Sequence, residues 1–140
     1  MRFMLLLKYD EAAQMATPPD PALFEEMATF NTAMVDAEVL LAGEGLLPSA
    51  KGALVAFDGE EPTVTDGPFA EAKELVGGFW ILQVDSLADA VSWARRAPFR
   101  DGERIEVRRV TEAEDFEGIA PPEVLEAEEE LRARAAHQQR

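Results

Sequence analysis

Phe79-Trp80-Ile81-Leu82-Gln83-Val84 is a run of aromatic and aliphatic side chains interrupted only by Gln83, the composition of a largely buried strand. Alternate residues of a strand face opposite ways. Phe79, Ile81 and Gln83 therefore share one side, and Trp80, Leu82 and Val84 the other. Both sides are mostly apolar, whereas a strand with one face in water alternates apolar and polar. Arg2 to Lys8 repeats the pattern, with Phe3, Leu5 and Leu7 set against Met4 and Leu6. Lys51 to Asp58 does so again, with Leu54 and Ala56 against Val55 and Phe57. A sheet built from such strands needs a cover on each face.

Helices supply one cover. Asp20-Pro21 is a helix start, since Asp caps free N–H groups and Pro suits the first turn. Leu23, Met27, Phe30, Met34 and Ala37 then recur at helical spacing. Ser86 with Asp89 opens a second helix whose apolar stripe is Leu87, Ala90, Val91 and Ala94, and Pro98 stops it. Val39 to Leu41 is a short β-like run, Lys51 to Asp58 and Pro62 to Thr65 form a hairpin about Gly59-Glu60, and Arg104 to Val110 alternates as a last strand. Asp10 to Pro19 reads as a polar connection. The order strand, helix, short strand, hairpin, strand, helix, strand predicts an α+β fold, a ferredoxin-like β-α-β sandwich with an antiparallel sheet. The body covers residues 1–110. Residues 111–140 form an acidic extension, helical from Pro121, with Glu128→Arg132 and Glu130→Arg134 at the favourable spacing. The second face calls for another copy of the chain, sheet against sheet about a two-fold axis. The rival cover is the C-terminal helix.

Between the hairpin and the Phe79 strand lies a crowded loop, Thr65-Asp66-Gly67-Pro68-Phe69-Ala70-Glu71-Ala72-Lys73-Glu74-Leu75-Val76-Gly77-Gly78. Loops this long and this charged more often form a binding surface than a simple linker. Asp66 before Gly67-Pro68 either stabilises a turn or faces a cavity as a base. Glu44, between Gly43 and Gly45, is the second candidate, because flanking glycines let the backbone approach another group closely. Lys73 is a candidate anion partner, and Phe69, Phe79 and Trp80 are candidate walls, with the core or an interface as the other reading of these aromatics. Gly77-Gly78 permits a bulge at the strand entry.

Composition narrows the functions. The chain has 140 residues and a net charge of −15, which disfavours nucleic acid and anionic lipid as partners. Nine acidic and three basic residues lie from Thr111 onward. Cysteine is absent, which removes disulfides, thiolate nucleophiles and Cys-type metal sites and suits the cytoplasm. Phe3 to Leu7 is too short for a signal peptide or a membrane span. The single histidine, His137, sits in the charged tail. No nucleotide or nucleophile-elbow motif occurs. No cofactor or metal is expected, although Asp66, Glu44, Glu71 and Glu74 are oxygen ligands of the type that Mg²⁺ or Ca²⁺ takes.

Several of these residues carry a family likeness. Gly43-Glu44-Gly45-Leu46 with Pro48, Asp66 to Glu74 with Gly77-Gly78-Phe79, Trp93-Ala94 before Pro98, and Ile105-Glu106-Val107-Arg108 resemble the YCII-related proteins, in particular the branch named for a DGPF motif. The resemblance spans most of Met1 to Val110. It implies a ferredoxin-like fold that dimerises into an α+β barrel, with a site between sheet and loops. It also implies a partner in a sigma-factor system, since DGPF-type proteins often accompany extracytoplasmic-function sigma factors. A more distant YCII-type relative removes chloride from a chlorinated hydroquinone with a His–Asp pair. The first helix here has no histidine; Asn31, Glu25 and Glu26 are the nearest polar candidates and none is an imidazole, so that chemistry does not carry over.

The sequence therefore predicts a small-molecule-binding homodimer. One alternative is an enzyme of proton-transfer or elimination type acting on a small aromatic compound, with Asp66 as base and Glu44 assisting. Another is an interaction module that works through the acidic tail.

Overall fold

A computed structural model describes residues 1–18, 20–69 and 74–139. The chain divides into two compact units, Met1–Arg109 and Val110–Arg140.

In the first unit the elements are β1 (Arg2–Tyr9), α1 (Glu11–Met15), α2 (Pro21–Asp36), β2 (Leu40–Gly45), β3 (Ala53–Ala56), β4 (Thr63–Asp66), β5 (Leu75–Gln83), α3 (Leu87–Ala94) and β6 (Arg104–Arg109). Four strands make one antiparallel sheet in the order β2-β5-β1-β6. With α2 following β1 and α3 following β5 along the chain, this is the ferredoxin-like α+β arrangement. The two strands that are apolar on both sides, β1 and β5, occupy its centre.

Register assigns the two faces. Leu5 lies opposite Trp80 and Val107, and Phe3 opposite Leu82. These side chains form the core with Phe30 and Met34 of α2 and Ala90 of α3. Leu5, Met34 and Leu82 are fully buried. Phe30 meets Trp80 edge-on with ring centroids 5.8 Å apart, a geometry that aromatic quadrupoles favour. On the opposite face, Leu6 lies opposite Phe79 and Glu106, and Met4 opposite Ile81 and Arg108. Those four apolar residues stay half-buried.

The helix starts follow the sequence. Asp20 Oδ1 accepts the Ala22 N–H at 3.0 Å, and Ser86 Oγ accepts the Asp89 N–H at 3.1 Å. Asp20 has a second role. Its other oxygen, Oδ2, lies 3.3 Å from Arg100, whose guanidinium also grips both oxygens of Glu26. The start of α2 is thereby tied to the loop before β6.

Two expectations need correction. Lys51 to Asp58 does not join the main sheet: β3 pairs only with β4, in a separate two-stranded sheet with every residue exposed. Its alternation is that of a ribbon whose sides both face outward. The Asp10 to Pro19 connection contains α1, because the Asp10 carboxylate caps it by accepting from Ala13 N–H at 3.2 Å.

The second unit carries a short 3-10 turn, Ala113–Phe116, and α4, Pro122–Gln138. Glu112 and Asp115 cap the turn reciprocally. Arg132 reaches Glu112 at 3.6 Å, a contact that helical spacing alone does not reveal.

Candidate functional site

The bulge at the start of β5 shapes the site. Leu7 pairs with Gly78 but Lys8 pairs with Val76, so Gly77 is the extra residue. The Tyr9 ring packs on Gly77, in the space a Cβ would occupy. Tyr9 is buried as a result. Burial, reinforced by the nearby Glu11 charge, pushes its phenol above the usual range.

Ser49, in a 3-10 turn after Pro48, is the hub. Its N–H donates to Glu11 Oε1 at 2.7 Å and its hydroxyl to Glu11 Oε2 at 2.6 Å. Ser49 Oγ in turn accepts the Phe69 N–H at 3.4 Å. Gly67 packs so closely on the Ser49 carbonyl that no side chain would fit, and its N–H donates to Gly52 O at 3.0 Å. The Gly67–Pro68 peptide is cis. One serine thus joins α1, the turn after β2, and the loop after β4, three segments far apart in sequence.

Tyr9, the turn after β2, Phe69 and the start of β5 line a half-open cavity of about 390 Å³, at the small end of the ligand-site range of roughly 300–1,000 Å³. Leu46, Leu47, Pro48, Phe69, Leu75 and Val76 give it apolar walls. Tyr9, Ser49 and Lys51 are its polar lining, and Lys51 is the one charged group among the described lining residues.

Of the residues singled out from sequence, Phe69 lines the cavity, and Gly67 and Pro68 form the turn that places it. Asp66 ends β4 opposite Ala53 and is exposed. Glu44 lies on β2 opposite Phe79, exposed, on the sheet face away from the helices. Phe79 is half-buried on that same face. Asp66 and Glu44 belong to different sheets, and neither lines the cavity. Gly43 is needed because the Trp80 indole sits where its Cβ would be, 2.9 Å away at Cδ1, while Gly45 has nothing within 4 Å. The indole N–H donates to Asn31 Oδ1 at 3.0 Å, so Asn31 serves the core. Lys73 and Glu71 lie outside the described residues.

The chain matches the model of the YCII-related domain over residues 1–114. It belongs to the YCII-related family. A stretch of 97 residues is also 30% identical to the uncharacterized protein R00369 of Rhizobium meliloti (strain 1021), covering 68% of this chain and 78% of that one. Within this YCII-related chain, sequence reasoning missed Tyr9, Glu11, Ser49 and Lys51. Asp10 immediately before Glu11 was the available signal, a helix cap that would have placed Glu11 at the start of an ordered turn. Among the described residues no group of three or more acidic or histidine side chains is placed to hold a metal, and no helix is long and apolar enough to cross a membrane.

Proposed function

We propose that this YCII-related protein is a cytoplasmic small-molecule-binding homodimer. The observation that carries the reading is the cavity beside Ser49, with apolar walls, a few polar groups and a rigid frame fixed by Glu11. Sites that bind small organic molecules share that make-up. The homodimer rests on the second sheet face, where Met4, Leu6, Phe79 and Ile81 form a contiguous apolar patch. Binding is favoured over carboxylate catalysis because, among the described lining residues, the charged group is a lysine.

Thermal denaturation against a library of small organic compounds tests it. A true ligand raises the melting temperature with concentration, as mass action requires. Leu47→Trp, which fills the cavity from a residue that is 78% exposed, abolishes the shift without lowering the ligand-free melting temperature. A library that moves neither protein counts against the reading.

A further inference from the structure

We infer that the cavity takes a small apolar monoanion, such as a monocarboxylate, with its charge set against the Lys51 ammonium. The inference rests on the small-molecule reading above and adds the chemistry of the ligand.

Lys51 is distinctive in so acidic a chain. Three cations of the first unit are held in ion pairs: Lys8 with Glu106 at 3.5 Å, Arg100 with Glu26 and Asp20, and Arg104 with Glu74; what sets Lys51 apart is that it lines the cavity. Lys51 has no ion-pair partner among the described residues, although the net charge is −15. Glu11, the acid fixed at the site, has both oxygens occupied by Ser49. That leaves an unmatched ammonium at the edge of apolar walls.

The backbone around Ser49 favours a singly charged anion. Phosphate sites rely on a cradle of free amide N–H groups. Here the amides of Leu46, Ser49, Lys51, Gly52, Gly67 and Phe69 are all spent, on Gly77 O, Glu11, Pro48 O, Ser49 O, Gly52 O and Ser49 Oγ respectively. The Ser49 hydroxyl proton is likewise committed to Glu11, so Ser49 offers the cavity a lone pair and no donor. A carboxylate is met by Lys51, with the neutral Tyr9 phenol as a further donor residue on the lining; a phosphate dianion would want more donors than these two.

Isothermal titration with phenylacetate and hexanoate, against phenylacetamide and hexanamide, tests the inference. At low salt the carboxylates bind about fivefold more tightly than their amides, the upper end for a partly screened ion pair. The preference shrinks in high salt, vanishes in Lys51→Met and survives in Lys51→Arg. Because the chain as a whole repels anions, general electrostatics cannot produce that order. Amides binding as tightly as acids, a preference that persists in Lys51→Met, or displacement of phenylacetate by inorganic phosphate would each overturn the monoanion and leave the binding reading standing. No heat from either series overturns both.

Discussion

Both hydrogens that Ser49 can donate end on one carboxylate, the backbone N–H on Glu11 Oε1 at 2.7 Å and the hydroxyl on Oε2 at 2.6 Å. Hydrogen bonds to a charged acceptor contribute about 1.5–3 kcal/mol each. Glu11→Gln keeps the shape but removes the charge and turns an NH₂ toward a donor. It is expected to lower unfolding free energy by about 2 kcal/mol, read from the urea midpoint. Ser49→Ala keeps the backbone bond and should cost less. Equal stability of Glu11→Gln and wild type would show that the pair is incidental.

Tyr9 is the chain's single tyrosine, so tyrosinate absorbance near 295 nm reports it alone. Burial first, and the Glu11 charge second, raise its pKa above the usual 10.0. Folding therefore holds Tyr9 neutral, and the unfolded chain loses this proton first. The stability linked to Tyr9 is full below about pH 10 and falls as pH rises through the folded pKa. Glu11→Gln should move the midpoint only part of the way down, because burial remains. A folded-state midpoint at 10 or lower would contradict the packing of Tyr9 on Gly77.

Gly67 and Gly45 look alike in sequence and differ in space. A Cβ on Gly67 would run into the Ser49 carbonyl, which is backbone and cannot swing away; one on Gly45 meets nothing within 4 Å. Gly67→Ala is expected to cost about 3 kcal/mol, the top of the usual overpacking range. Gly45→Ala should stay within about 0.5 kcal/mol. Comparable losses in the two variants would mean that the loop after β4 does not rest on Ser49.

The sheet was legible because its signal is local. The alternation in Phe79–Val84 and Phe3–Leu7, and the caps at Asp20 and Ser86, each depend on residues a few positions apart. The bulge was also visible, in Gly77-Gly78. The cavity was not, because it is made by pairing across the chain: Glu11 and Ser49 are 38 residues apart and Ser49 and Phe69 are 20. Asp66 and Glu44 drew notice through glycine neighbours. Those glycines answer to Ser49 at Gly67 and to Trp80 at Gly43, which are packing demands. The β3–β4 ribbon misled for a related reason: Leu54 and Val55 have strand composition, and composition does not say which sheet a strand joins.

The sheet face opposite the helices is built from cross-strand rows. There Glu44, Phe79, Leu6 and Glu106 lie in one row across the sheet, and Ala42, Ile81, Met4 and Arg108 in the next. Apolar side chains fill the middle of both rows and charges sit at three of the four row ends, Ala42 being the fourth, close to the pattern of an interface with a dry core and a polar rim. At roughly 25 cal/mol per Å², a few hundred Å² of apolar surface covered there contributes several kcal/mol. Sedimentation equilibrium at micromolar concentration should therefore show a dimer. Ile81→Lys places a charge at the centre and should give a monomer with unchanged far-UV dichroism. Val35→Lys, at an α2 residue that is 58% exposed, should leave the dimer intact. A wild-type monomer, or an Ile81→Lys dimer as tight as wild type, would remove the twin from that face.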